Sequence, residues 1–181
     1  GATCLCCESP VDLKYIRSEG QQGRLGVQLM AVAAEGERTR HYLEPTELHE
    51  SAALVGRPDT APSGSLPEKA LGFRVQAYGM TDYADLFTNR QLVALITFSD
   101  LVGEARERIV EDAKANGLDF TESAAYGDAI VTYLGLGLSR WVDMSNSIAS
   151  WNSSNESVRA LFARQAIPMA WDFCEANPLA T

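Results

Sequence analysis

The chain has 181 residues, of which 46% are hydrophobic and 22% charged, with a formal net charge of −9 and a pI near 4.7. That length can bury a real core, and the composition excludes a disordered tail, a collagen-like fibre and a disulfide scaffold. The acidic balance argues against a stand-alone nucleic-acid binder, because non-specific phosphate contact needs clustered excess Lys and Arg. Apolar stretches such as Leu92 to Phe98 fall far short of the roughly 20 residues a bilayer span demands.

The chain opens on Gly1 rather than Met, with no basic region followed by an apolar one, and reads as carrying an expression scar or as a segment excised from a longer polypeptide. Three of its four cysteines follow at once, in Cys4-Leu5-Cys6-Cys7, while Cys174 stands near the other end. Neighbouring Cys6 and Cys7 would close only a strained ring, so this is not a secreted framework, and a reducing cytoplasm is expected. Cys4 and Cys7 have the C-x-x-C spacing with which a tight turn points two thiolates at one zinc ion. The other candidate ligands are Cys6, Cys174, His41 and His49, and no second C-x-x-C or paired-histidine spacing completes the tetrahedron. The spacing therefore gives half a zinc ribbon or no site. Cys174, in an apolar run after Trp171 and Phe173, reads as a small buried hydrophobe.

Gly20, Gly23 and Gly26 suggest a loop returning from a short strand around Lys14 to Arg17. Alternation over 27–34, interrupted by Glu35-Gly36-Glu37 and resumed from Arg38 to Leu43, predicts a β-hairpin. Lys14, Arg17, Arg24, Arg38 and Arg40 gather here against Glu19, Glu35 and Glu37, a mixed-sign pattern normal for a solvated face. Thr46 then caps a short helix through Leu54. From Gly56 to about Gly72 the apolar period disappears and three prolines enter, which predicts a mobile linker.

Beyond it the period becomes helical. Thr88 and Gln91 form a capping-box pattern, and Leu92, Leu95, Ile96, Val102, Ala105, Ile109 and Ala113 recur on one stripe until Asn116-Gly117 stops it. A second long helix is predicted from about Glu122 to Ser147; its Gly127, Gly135 and Gly137 suggest a close approach of another backbone or a kink. After a polar connection, a third helix is expected over 155–166 and a fourth from Pro168 to Asn177-Pro178. The expected fold class is α+β, a small zinc-ribbon-like β-hairpin unit followed by a mostly α-helical bundle. The expected domain organisation is 1–55 for the half knuckle, hairpin and short helix, 56–80 for the linker and 81–181 for the helical region.

Most short motifs fail on context. Gly135-Leu136-Gly137 lies inside a helical pattern with no preceding strand, so it is no nucleotide-binding loop. His41 and His49 read as exposed or capping residues, and no G-x-S-x-G accompanies them. Carboxylates sit mostly on helix faces and give no acid–base pair. On residues alone the chain is an α+β protein without a legible chemistry.

Two longer runs are more specific. The stretches from Asp85 to Val102 and from Phe162 to Pro178, with Ala2-Thr3-Cys4-Leu5-Cys6-Cys7 and Val11 to Arg17, resemble the interior of bacterial and archaeal adenine-specific DNA methylases that contain a zinc ribbon. The resemblance covers nearly the whole chain in the same order and is weakest over the linker. It implies a cofactor motif of the type D-P-F-x-G-x-G and a first zinc C-x-x-C upstream, and a catalytic D-P-P-Y downstream. None of the three occurs in this sequence. Asn177-Pro178-Leu179 shares only the first two residues of an N-P-P-Y tetrapeptide, and a helix stop explains it more simply.

The resemblance therefore implies an internal segment of an S-adenosylmethionine-dependent enzyme that flips an adenine and methylates its exocyclic amine. The segment supplies no catalytic and no cofactor-binding residue; its expected role is DNA positioning and scaffolding of the flanking catalytic domain, with no membrane partner. Cys4 and Cys7 would hold half of the zinc. Candidate DNA contacts are Arg38 and Arg40 on the hairpin, with Asn146, Trp151, Arg159, Arg164 and Gln165 around the polar connection and third helix. Arg and Gln suit phosphates and base edges, and Trp suits stacking; the alternative is that Trp151 is core and that Arg164 and Gln165 satisfy helix ends. The competing function is a stand-alone adaptor whose Leu92 to Ala113 stripe docks a partner helix.

Overall fold

A computed structural model describes residues 2–163 and 165–179. The chain is of mixed α+β class, with four α-helices and three two-stranded antiparallel sheets among the described residues. No helix among them is long and apolar enough to cross a membrane.

The N-terminal strands β1 (Ala2–Thr3) and β2 (Pro10–Val11) pair antiparallel around the cysteine turn. The next element corrects the expected strand around Lys14 to Arg17: α1 is a helix over Leu13–Gln21. The missed signal is Asp12, whose carboxylate accepts the Lys14 backbone N–H at 3.3 Å and starts the helix. Gly20 lies inside that helix, where the backbone of a 3-10 turn at Val75–Tyr78 crosses so closely that a Cβ would stand 2.3 Å from the Tyr78 carbonyl oxygen.

The predicted hairpin forms over a shorter span, from β3 (Val32–Glu35) and β4 (Arg40–Leu43), with Glu35 opposite Arg40 and Val32 opposite Leu43; residues 27–31, expected in the first strand, are not strand, and Glu35, expected in the turn, is paired. The short helix α2 (Glu47–Ala53) starts at Thr46 in a reciprocal cap, His49 Nδ1 accepting the Thr46 N–H at 3.1 Å. One of the two histidines thus caps a helix. Residues 56–74 contain neither α-helix nor strand, as their composition requires, yet Leu66 and Val75 from the expected linker lie at the centre of the core.

The long helices occur where the period places them. Helix α3 spans Asn89–Ala115, opened by the Thr88–Gln91 box and closed by Gly117 at φ +97°. Helix α4 spans Phe120–Met144 behind an Asp119–Glu122 box. Phe98 meets Trp141 edge-on at 5.0 Å between ring centres, and Arg106 donates to Asp128 at 2.6 Å, so the two helices run antiparallel. Leu92, Leu95 and Ala113 are buried; the stripe expected to dock a foreign helix carries α4 of the same chain.

Two further expectations are corrected. Among the described residues, 155–166 form no α-helix; β5 (Ser150–Asn152) and β6 (Ser157–Arg159) make a tight hairpin there, followed by a 3-10 turn at Leu161–Ala163. Asn152 accepts the Ser154 N–H and Glu156 adopts φ +47°, turn chemistry that outcompetes helix formation in this Ser- and Asn-rich stretch. Residues 165–179 contain no helix either. They run as a strap across the molecule, with Ile167 buried, Cys174 N–H donating to Ala149 O at 2.9 Å, and Glu175 held by Thr88 and Arg90. The helical region is thus a two-helix hairpin with a strap, not a bundle. The core lies at the hairpin's base, where Leu66, Val75, Leu86, Ile148, Leu161 and Ile167 pack together.

Candidate nucleic-acid interface

Hairpin β3–β4 and hairpin β5–β6 lie far apart in sequence and meet through side chains. Arg40 and Tyr42, two residues apart, share one face of β4. The Arg40 guanidinium stands over the Trp151 ring at 5.4 Å, and the Tyr42 ring meets the same indole edge-on at 6.4 Å and 83°. The Tyr42 hydroxyl donates to Glu156 Oε1 at 3.3 Å, tying the β5–β6 turn to the same strand. Trp151 itself sits opposite Val158 in the β5–β6 register. A stacked guanidinium on an indole is a stabilising cation–π contact of about 0.5–1 kcal/mol at such an exposed site.

Arg38 is exposed at the tip of β3–β4 in a left-handed conformation, φ +63°, with Gly36 N–H closing the turn on Thr39 O at 2.8 Å. Arg159 is exposed on β6, opposite Ser150. Arg38, Arg40, Trp151 and Arg159 therefore belong to one pair of joined hairpins. Asn146 stands apart from it: the residue is fully buried, its Nδ2 donates to the Val142 and Asp143 carbonyls at 3.0 and 3.1 Å, and its Oδ1 accepts the Ile148 N–H. Its amide is spent on ending α4. Gln165 is exposed on the strap, and Arg164 lies outside the described residues.

A second array of the same kind carried no signal in the sequence. Arg17 of α1 stands 5.6 Å over the Tyr78 ring, and Tyr78 meets Trp171 edge-on at 5.1 Å. It needs a helix, a 3-10 turn and the strap to converge, and none of these is local to another.

At the N-terminus, β1 and β2 hold the cysteine turn. Cys4 N–H donates to Ser9 O and Glu8 N–H to Cys4 O, both at 2.9 Å, and Glu8 takes φ +57° directly after Cys7. Ser9, through its side chain and then its backbone, and the Cys4 thiol hydrogen-bond Cys7 and hold its pKa below the usual thiol range. No three His, Cys, Asp or Glu side chains gather into a metal-holding group among the described residues. Cys174 is the opposite case, its thiol pushed up to about 11 chiefly by burial. An apolar cleft of about 420 Å³ between the long helices, lined by Leu92, Leu95, Leu138 and Val142, carries Asp100 as its one charged lining residue.

Comparison with family models, with curated proteins and with solved structures finds no match to this chain.

Proposed function

We propose that the chain is an internal segment of an S-adenosylmethionine-dependent adenine-specific DNA methyltransferase that works in a reducing cytoplasm. In this reading it positions DNA and scaffolds the flanking catalytic domain, without performing methyl transfer itself. The observation that carries the reading is the Arg40–Trp151–Tyr42 array on two joined hairpins that also present Arg38 and Arg159. Guanidinium groups suit phosphate contact, and an indole face suits stacking on a base. The runs 85–102 and 162–178 supply the family resemblance.

The two thiolates of Cys4 and Cys7 fit one edge of a tetrahedral zinc site, so the zinc ribbon proposed here draws its other two ligands from outside this chain. S-adenosylmethionine belongs to the flanking catalytic domain, where it supplies the methyl group. This segment's part is to hold the duplex while the adenine is extruded.

The test is DNA affinity of the full-length polypeptide, read by fluorescence anisotropy across a salt series. Arg40→Ala is expected to weaken binding and flatten the slope of log affinity against log salt by about one phosphate contact. Trp151→Ala is expected to cost about 1–3 kcal/mol of affinity where a base stacks on it. Affinity and salt slope unchanged in both variants, with melting temperature intact, would overturn the interface.

A further inference from the structure

Helix α4 carries a second feature, independent of the DNA reading. From Ala129 to Ser139 it has no charged residue, yet α3 covers only one of its sides. A helix without charge around its circumference is normally enclosed. Here the side turned from α3 is open: Tyr133 and Leu136 are 76% and 62% exposed, nothing stands within 4 Å of where a Cβ on Gly137 would be, and Tyr126, 53% exposed, flanks it at the edge of the groove lined by Ile109 and Ala113 of α3.

We propose that this outward stripe of α4 pairs with the same stripe of a second copy of the chain, the two helices antiparallel. The stripe is Glu122, Tyr126, Ala129, Tyr133, Leu136 and Arg140, which recur at alternating spacings of four and three and so follow one line along the helix. That spacing reads the same in both directions. In an antiparallel pair centred between Ala129 and Tyr133, Glu122 faces the partner copy's arginine at 140, Tyr126 faces its leucine at 136, and Ala129 faces its tyrosine at 133. At the centre the small Ala129 receives a tyrosine ring, and each end closes on an opposite charge. A parallel pair would set Glu122 against Glu122 and Arg140 against Arg140, so charge selects the antiparallel arrangement.

Neither charge is fully committed within the chain. Glu122 uses Oε2 to cap Asp119 N–H at 3.1 Å, and Arg140, with a side chain 65% exposed, gives Nη1 to Asp143 at 2.9 Å. At roughly 150–250 Å² per aromatic side chain, the exposed stripe offers on the order of 500 Å² per copy. A symmetric pair then covers about 1,000 Å², the lower bound for a specific interface. The net charge of −9 on each copy opposes association, and added salt therefore favours the dimer up to the point where the end pairs are screened.

Sedimentation velocity over a concentration series tests the pairing, with circular dichroism melting to confirm that each variant folds. Wild type is expected to pass from monomer to dimer. Leu136→Arg, at an exposed position, and Arg140→Glu are each expected to raise the dissociation constant by about tenfold or more, at 1.4 kcal/mol per tenfold. The charge swap Glu122→Lys with Arg140→Glu rebuilds both end pairs and is expected to recover the dimer. A chain that stays monomeric throughout overturns the proposal, whether the stripe is then covered by another part of a longer polypeptide or by a foreign helix. A dimer indifferent to Leu136→Arg, or one that the swap fails to recover, overturns it equally.

Discussion

Gly127 and Gly135 sit on the same helix and have the same intrinsic cost, about 1 kcal/mol relative to Ala in a helix interior. Their surroundings differ. A Cβ on Gly127 would lie 2.6 Å from Val110 Cγ2 and 3.6 Å from the Arg106 carbonyl oxygen, whereas a Cβ on Gly135 meets nothing within 4 Å. Gly135→Ala is therefore expected to stabilise the chain by about 1 kcal/mol, or about 2–4 °C in melting temperature for a chain of this size. In Gly127→Ala the same propensity gain is set against the overpacking of a stiff β-branched neighbour, about 1–3 kcal/mol. The propensity gain cancels between the two variants, so Gly127→Ala should fall below Gly135→Ala by that overpacking cost, about 1–3 kcal/mol. Urea unfolding followed by far-ultraviolet circular dichroism measures both. Adding Val110→Ala should relieve the clash in Gly127→Ala but leave Gly135→Ala additive. Equal stabilisation by both alanines would refute the close crossing of α3 and α4 at Gly127.

Thr88 both caps α3, accepting the Gln91 N–H at 3.2 Å, and donates to Glu175 on the strap. Thr88→Ala should cost about 1–2 kcal/mol by urea unfolding while Thr88→Ser retains most of it; no loss on Thr88→Ala would remove the cap from the account. With its thiol pushed up to about 11 against the ordinary 9.0, Cys174 should be alkylated at least about a hundredfold more slowly than Cys7 at pH 8 in the folded chain, since Cys7 is shifted the other way. An unfolded thiol deprotonates first, so this group subtracts stability as pH rises from about 9 to about 11 and has no effect below that window. Peptide mapping after timed iodoacetamide labelling, with Cys174 as reactive as Cys7, would contradict its burial.

The parts of this fold that were legible in the sequence are those specified locally. The Thr88–Gln91 box, the Asn116-Gly117 stop and the recurrence of Leu92, Leu95, Ile109 and Ala113 write α3 into a single stretch, and Thr46 does the same for α2. Misread stretches had local preferences on both sides. Asp12 is a cap only if the residues after it are helical, and the glycines that follow favour a loop reading. Ser150 to Arg159 has too few apolar residues to fix a period, and the pairing of Trp151 with Val158 decides it. The strap and the two Arg–Tyr–Trp arrays are built from residues many tens of positions apart, and a single sequence carries no record of such meetings. Arg40 and Trp151 stand out in the sequence only as residue types, and their contact is visible only when the two hairpins are placed together.

Ser147 donates both its backbone N–H and its Oγ hydroxyl to the Leu86 carbonyl, at 2.8 and 2.9 Å, closing a loop of 61 positions filled by the α3–α4 hairpin. The hairpin therefore works as a closure device, bringing the ends of a long excursion back to one place so that the core beneath it can assemble from segments on either side. Contacts within the hairpin form between near neighbours around the turn at Asn116-Gly117 and carry little loop entropy. Those of the core must wait for both strap and excursion. Amide exchange is accordingly expected to divide the chain into two cooperative units, a slow-exchanging helical pair and a seam through Leu66, Ile148 and Ile167 that opens at lower free energy, releasing the strap while the helices remain paired.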